Sequence, residues 1–191
     1  MLCKGLFEDP EQLHLDGVVQ RLKILDVGPA RSNTVRFFNQ IRCRLYFADL
    51  FAEQMQYAEI VTDDNTTENL FPTLESYPKG ELFDLCFFWD FLNYLDTPKL
   101  QAFNLALQPF IHNGTKAHAF TTQNTRTAIQ DLSYGIEDQD RLSEHPRDPL
   151  PLDLHNHSLA DIKDHFPCLN TTRSRLLTDG RIEIFMSAHG S

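Results

Sequence analysis

Two acidic residues and one glycine have the types and spacing of a nucleotide-binding site. Asp26 ends a short apolar segment, Gly28 opens a tight turn, and Asp49 ends the next apolar segment 21 residues after Gly28. A glycine in such a turn lets the backbone approach a ligand, and the second acid can bind two ribose hydroxyls. These residues predict a bound nucleotide or related cofactor. The alternatives are a purely structural turn at Gly28 and an ordinary surface acid at Asp49.

The elements that must position these residues read as a βαβ unit. Residues 22–27 and 43–48 form apolar strands, and residues 31–41 between them have helical spacing, with Ser32 or Asn33 available as a cap. Residues 82–92 are almost entirely apolar, which is typical of a central parallel strand covered on both faces.

The remaining pattern continues the alternation of strands and helices. A helix should begin at Asp96 and run to about Phe110, and further elements are expected at 8–21, 52–60, 115–121 and 158–166. A hairpin with a turn at Asp179-Gly180 covers 168–188. Residues 61–81 give no clear signal. The order predicts an α/β fold with a doubly wound, mostly parallel sheet and an antiparallel C-terminal hairpin strand.

Length and composition predict one domain over residues 1–191, with a polar insertion or lid at about 122–157 that lies outside the core. The net charge of −10 argues against duplex nucleic acid as a partner, although Arg173, Arg175 and Arg181 could form a local basic patch. The four cysteines form no CxxC pair, and no apolar stretch reaches the roughly 20 residues needed to span a bilayer. We therefore expect a cytoplasmic protein that is not a membrane protein.

Two histidines invite a metal-site interpretation, which the sequence does not favour. His155 and His157 are two residues apart in a loop-like stretch, and a zinc site needs at least a third ligand. No P-loop and no Gly-x-Ser-x-Gly motif is present. We expect no bound metal.

Three segments resemble the class I S-adenosylmethionine-dependent methyltransferases. They are the cofactor-loop sequence Ile24–Gly28, the acid Asp49 at the end of the second strand, and Phe83–Leu95 at the fourth-strand position of the family. The hairpin 168–188 is similar to the last two strands of that fold. The resemblance implies a Rossmann-like sheet of seven strands, S-adenosylmethionine as cofactor, and methyl transfer to an unidentified substrate.

The resemblance also implies roles for individual residues. The backbone at Gly28 and Ala30 would pass close to the cofactor, Asp26 would hold its methionine end, and Asp49 would bind the ribose hydroxyls. Trp89 and Asp90 would line the mouth of the site. The alternatives are a core position for Trp89 and a helix cap for Asp90. An acid that contacts adenine in the family corresponds to Asp63 or Asp64.

The sequence departs from the family at the glycine loop. Ala30 and Ser32 stand where the family pattern has further glycines, and Pro29 lies between Gly28 and Ala30. No Asn/Asp-Pro-Pro-aromatic motif follows the fourth strand, which counts against the amino-group methyltransferases that use it. This departure keeps open a non-catalytic methyltransferase-like domain that binds cofactor or a protein partner. No catalytic residue follows from the sequence. His118, His145 and Tyr134 are the candidate bases, and the substrate is expected beside residues 122–157.

Overall fold

A computed structural model describes residues 21–60, 70–122 and 131–188, without the side chains of residues 57–60. The strands are β1 Leu22–Asp26, β2 Cys43–Phe47, β3 Phe83–Trp89, β4 Ile111–Thr122, β5 Leu132–Asp138, β6 Arg141–Pro146, β7 Asn170–Leu176 and β8 Arg181–Ser187. The helices are α1 Ser32–Phe38, α2 Leu50–Ile60, α3 Pro72–Glu75, α4 Thr97–Leu107 and α5 Leu159–His165, with 3₁₀ turns at Phe91–Tyr94 and Gln108–Phe110.

The main sheet has six strands in the order β2-β1-β3-β4-β8-β7. The first four are parallel to one another, whereas β8 pairs antiparallel with β4 and β7 pairs antiparallel with β8. The mixed α/β architecture and the antiparallel hairpin confirm the predicted fold class. The hairpin contributes two strands to the sheet, and its turn places Gly180 at a φ of +89°, which favours glycine.

Each face of the sheet has its own layer of packing. One face is covered by the helices α2 to α5, which place Phe51, Leu74, Phe103 and Ile162 in the larger hydrophobic cluster. The opposite face is covered by α1 and by a separate two-stranded sheet, β5–β6, which packs Leu132, Tyr134 and Ile136 against it. Because strand residues alternate between faces, Cys86 and Phe88 of β3 join the first layer, and Phe87 and Trp89 join the second.

Local capping explains where two helices begin. The Asp96 side chain accepts a hydrogen bond from the Lys99 amide at 2.8 Å, which starts α4 at the predicted position. Ser158 and Asp161 form a reciprocal capping box at the start of α5. At α1 the cap prediction was wrong, because Arg31 occupies the cap position with no side-chain bond and Ser32 is already helical.

The main sheet of the described residues has six strands, where seven were expected. Strand β2 is the outermost strand of the sheet that the described residues form, and residues 72–75 beyond it form α3. Residues 61–69, with the adenine candidates Asp63 and Asp64, lie outside the described residues, as does the helix expected at 8–21.

Part of the segment 122–157 belongs to the core, which corrects the expectation of a polar insertion or lid outside the core. Strand β5 is buried from Leu132 to Ile136, and its alternate residues Leu132, Tyr134 and Ile136 face the sheet. Helix α1 holds the hairpin through hydrogen bonds from Arg31 to Ser133 and from Asn33 to Ser143. The polar composition comes from β6 and from the loops.

Within the described ranges, no helix is both long enough and apolar enough to cross a membrane.

Candidate functional site

The predicted site residues follow three strands that end side by side. Asp26, the last residue of β1, is in register with Phe47 of β2 and with Phe87 of β3. The backbone amides of Val27 and Ala48 continue this pairing through bonds of 2.9 Å to the Phe87 and Asp26 carbonyls. Because carboxyl ends of parallel strands form one edge, Gly28, Asp49 and Trp89 are brought to the same edge of the sheet, where open α/β sheets bind ligands.

Asp26 is buried, and its carboxylate is bonded to the indole of Trp89. The distance from Trp89 Nε1 to Asp26 Oδ1 is 2.6 Å, and the carboxylate side chain is 2% exposed. Burial raises the pKa of Asp26 to about 7, against a smaller lowering by the indole hydrogen bond. Asp26 therefore holds Trp89 in place, whereas the family resemblance implies that it holds the methionine end of the cofactor, directly or through water.

Trp89 reaches Asp26 because the end of β3 is irregular. The strand register shifts between Phe87 and Trp89, and Trp89 has a φ of +52°, in the left-handed region. A non-glycine residue stores strain there, of order 1–3 kcal/mol, and persists only when its surroundings fix it. The indole is fixed between Phe87 and Tyr134, with ring centroids 5.2 and 5.4 Å away in stacked geometry.

Gly28 is buried although nothing inside the protein requires a glycine there. The φ angle of Gly28 is not positive, and among the described glycines only Gly80 and Gly180 have a positive φ. A Cβ added at Gly28 would meet Asp26 Oδ1 and Trp89 Cδ1 at 3.7 Å, an ordinary van der Waals distance. Ala30 is exposed, and so is Pro29. The loop therefore has no side chain at Gly28, and Pro29 and Ala30 form its exposed surface.

Asp49 is exposed at the end of β2 and begins the next helix. Its Oδ1 accepts the amide of Ala52 at 3.2 Å, which caps the start of α2. Among the described residues no donor contacts Oδ2. One carboxylate oxygen thus supports the helix, and the other is available to a ligand hydroxyl.

Asp90 lies at the same edge and is paired with an arginine that the sequence gave no reason to select. Asp90 is 1% exposed, and its Oδ2 lies 3.5 Å from Arg147 Nη2. Burial raises the pKa of Asp90 to about 7, and the Arg147 charge opposes that rise. Arg147 also bonds the Tyr94 hydroxyl at 3.1 Å and stacks 4.4 Å from the centre of the Phe51 ring.

The three candidate bases are not available at this edge. His118 Nε2 lies 3.0 Å from Glu183 Oε1, and four aromatic rings surround its imidazole, those of Phe87, Trp89, Phe120 and Phe185. The Tyr134 hydroxyl accepts a bond from Arg181 at 3.0 Å, and burial raises its pKa far above the usual value. His145 is exposed on β6, the outer strand of the hairpin.

The arginines of the candidate basic patch each have a partner within the chain. Arg175 pairs with Glu183 at 2.7 Å, and Arg173 stacks on Phe185 at 4.4 Å. Arg181 binds Glu144, Asp179 and Tyr134. These contacts give the three guanidinium groups structural roles.

The described residues contain no group of three side chains that could hold a metal ion. His157 Nε2 lies 2.7 Å from the Leu95 carbonyl oxygen, so the ring nitrogen donates a hydrogen to that carbonyl. His157 therefore fixes the loop before α5 to the end of the 3₁₀ turn Phe91–Tyr94.

No protein-family model and no curated protein matches this chain. Several solved structures are similar to it. An S-adenosylmethionine-dependent methyltransferase from Clostridium acetobutylicum ATCC 824 is similar with a TM-score of 0.51 at 15% identity, over 97% of each chain. A protein from Pyrococcus horikoshii OT3 is similar with a TM-score of 0.51 at 10% identity, over 97% of this chain and 90% of the other.

A third similar structure is the 1,6-didemethyltoxoflavin-N1-methyltransferase of Burkholderia thailandensis, solved with bound 1,6-didemethyltoxoflavin and S-adenosylhomocysteine. Its TM-score is 0.50 at 9% identity, over 90% of this chain and 72% of the other. At these identities the likeness establishes the fold, which is that of the class I S-adenosylmethionine-dependent methyltransferases. The fold alone does not establish an activity, which depends on the residues of the site.

Proposed function

We propose that this protein is an S-adenosylmethionine-dependent methyltransferase with an unidentified substrate. The observation that carries the proposal is the convergence of Gly28 and Asp49 at one sheet edge in a chain with the methyltransferase fold. The exposed Asp49 carboxylate and the bare backbone at Gly28 offer the two contacts that an adenine nucleoside needs: hydroxyl acceptors and close backbone approach.

The residues at the edge fit this cofactor. Neither conformation nor internal packing demands glycine at position 28, since its φ is not positive and a Cβ would meet only ordinary contacts. The backbone at Gly28 carries no side chain of its own, and we propose that the cofactor lies against this part of the loop. Ala30 adds only one methyl group at an exposed position, which narrows that approach without closing it.

The proposed roles follow from the contacts. Asp49 accepts the ribose hydroxyls, and the backbone from Gly28 to Ala30 lies against the cofactor. Trp89 forms a wall of the site, and Asp26 acts on the cofactor indirectly, by fixing the indole. Asp90 lies at the mouth beside Arg147. The bound cofactor supplies an electrophilic methyl carbon, and the protein supplies orientation and exclusion of water.

A second candidate function is a methyltransferase-like domain without catalysis, which binds cofactor or a protein partner. The bond between Trp89 and Asp26 favours this alternative, because it engages the acid that contacts the methionine end in the family resemblance. The stacked Tyr134 ring of the β5–β6 hairpin holds the indole in that position.

Isothermal titration calorimetry with S-adenosylmethionine and S-adenosylhomocysteine tests the proposed function, with adenosine as the control ligand. We expect one-site binding of both cofactor forms and weaker binding of adenosine. Absence of binding by the folded protein would rule out the methyltransferase and leave a partner-binding domain. We also propose a single domain in the cytoplasm, supported by the free thiols of Cys43, Cys86 and Cys168.

A further inference from the structure

The C-terminal hairpin leaves one edge of the main sheet open among the described residues. Strand β7 is outermost in the sheet order, and within the described ranges its one strand partner is β8. The strand is exposed from Thr172 to Leu176, and Leu176 is 71% exposed. The backbone N–H and C=O groups on the outer side of β7 can therefore pair with another strand.

A cleft of about 520 Å³ lies beside this edge, between β7 and helix α5. It is lined by Leu159, Ala160 and Lys163 of the helix and by residues 170–174 of the strand. Its volume is within the range of ligand-binding clefts. Because consecutive residues of β7 line it, the cleft follows the edge and can take side chains that project from an added strand.

The charge of the cleft is opposite to that of the whole chain. Lys163 and Arg173 are the charged residues that line it, whereas the chain carries a net charge of −10. Lys163 is exposed in the last turn of α5, and the acids Asp161 and Asp164 of that helix do not line the cleft. The cleft is thus a local basic surface that is complementary to carboxylate groups.

A second copy of this chain fits the edge poorly. If two β7 strands paired antiparallel about Ser174, each Arg173 would lie opposite Arg175 of the second copy. Pairing about Arg173 would place two Arg173 side chains opposite each other. Like charges directly opposite destabilise a strand pair. The register shift between Thr171 and Arg173 also interrupts a regular ladder. These features favour a strand that carries the opposite charge.

We propose that the edge of β7 and the cleft beside α5 bind an extended acidic peptide segment of a partner protein, which adds to the sheet as a strand. The peptide backbone pairs with β7, and its carboxylate side chains at alternate positions meet Lys163 and Arg173. Backbone pairing supplies affinity, and the two cations supply selectivity for an acidic sequence.

This surface is separate from the sheet edge that we propose for the cofactor. Strand β7 is four positions away from β1 in the sheet order, roughly 19 Å at about 4.8 Å per position. The peptide site therefore goes beyond the proposed function and does not depend on it.

The probe is the peptide Thr-Glu-Thr-Glu-Thr-Glu-Thr, acetylated and amidated at its ends, whose seven residues match the length of β7. One comparison peptide carries lysine in place of glutamate. A second keeps the acidic sequence but is N-methylated at two adjacent central residues. Because adjacent residues of a strand direct their N–H groups to opposite sides, this methylation blocks pairing at both edges of the peptide.

The readout is a nitrogen-15 NMR titration of the full chain, followed at the backbone amides of residues 170–176. We expect saturable shifts of these amides with the acidic peptide, and weaker binding at high salt. The lysine peptide and the N-methylated peptide should each bind at least about tenfold more weakly, because one loses the charge attraction and the other loses backbone hydrogen bonds.

Variants locate the effect. Lys163→Glu should weaken binding of the acidic peptide at least about fivefold, because repulsion replaces attraction. Lys79→Glu makes the same charge change at an exposed position before β3 and should leave binding unchanged. If Lys163→Glu does not fold, the comparison of the three peptides on the unaltered protein remains decisive.

No saturable shift at residues 170–176, equal affinity for any two of the three peptides that include the acidic one, or full affinity in folded Lys163→Glu would overturn the inference. A dimer in analytical ultracentrifugation, with shifts at residues 170–176 that grow with protein concentration, would assign the edge to a second copy and would also overturn it.

Discussion

Trp89 donates its indole N–H to the buried carboxylate of Asp26 across 2.6 Å, and this bond joins the ends of β1 and β3 beside Gly28. The backbone of Trp89 is strained, with a φ of +52°. Burial raises the pKa of its partner Asp26 to about 7. The bond fixes Trp89, the one tryptophan of the chain, beside the loop that we propose as the cofactor site.

Replacing Trp89 with phenylalanine removes the hydrogen-bond donor and keeps an aromatic ring. Because Asp26 Oδ1 then lies buried without this partner, we expect the free energy of unfolding to fall by about 1–3 kcal/mol. Urea denaturation followed by circular dichroism measures the change. In a double-mutant cycle with Asp26→Asn the two effects should not add. Full additivity would show that the bond contributes nothing to stability.

The Asp26→Asn variant should alter how stability depends on pH. The pKa of Asp26 in the folded protein, about 7, lies above its ordinary value of 3.8, so the folded state retains the proton longer than the unfolded state. The stability gained from protonated Asp26 is present at low pH and is lost as pH rises from about 4 to 7. Relative to the unaltered protein, Asp26→Asn should become more stable by a few kcal/mol across that window. A constant difference between pH 4 and 8 would contradict the raised pKa.

The proposed ribose contact is tested by replacing Asp49 with alanine. We expect S-adenosylhomocysteine to bind about 1–3 kcal/mol more weakly, because its hydroxyls lose their acceptor. The variant also removes a helix cap, so Asp96→Ala is the matched control: Asp96 caps α4 through the same type of bond, to Lys99. The control should lose stability without losing affinity. Equal affinities for Asp49→Ala and the unaltered protein would place the ligand elsewhere.

Gly135 of the hairpin allows a close approach of helix α1. A Cβ at Gly135 would overlap the Asn33 side chain, which bonds Ser143 on the neighbouring strand. We expect Gly135→Ala to cost about 1–3 kcal/mol of unfolding free energy, and to cost less than about 0.5 kcal/mol in an Asn33→Ala background. Thermal denaturation of the four proteins of this cycle gives the coupling. Equal costs in both backgrounds would show that Asn33 is not the obstacle.

Local signals were sufficient for most elements of the fold. The almost entirely apolar run Phe83–Trp89 was recognisable as a central parallel strand, and the Asp179-Gly180 turn predicted the hairpin β7–β8. The start of α4 could be predicted because Asp96 caps it through a bond three residues away. These features depend on contacts between near neighbours in the sequence.

Features that depend on distant contacts escaped sequence analysis. The hairpin β5–β6 was missed although Leu132, Tyr134 and Ile136 alternate with Ser133 and Gly135 at strand spacing, because the prolines and polar residues around them favoured a loop. Strand β6 is mostly exposed and gives no apolar signal. Arg147 has no local pattern, since its partners Asp90 and Phe51 lie more than fifty residues away. Asp26 was selected correctly as a residue of the edge, but its bond to Trp89 depends on a register shift that no sequence pattern predicts.

The central claim is that cofactor binds against the loop from Gly28 to Ser32, and the Ala30→Gly/Ser32→Gly double variant tests it most directly. Glycine removes side-chain bulk beside the bound group, at a folding cost of roughly 0.5–1 kcal/mol per site. Calorimetry should show that S-adenosylhomocysteine binds the unaltered protein and binds the double variant more tightly. No binding to either protein, with the variant still folded by circular dichroism, would contradict the account.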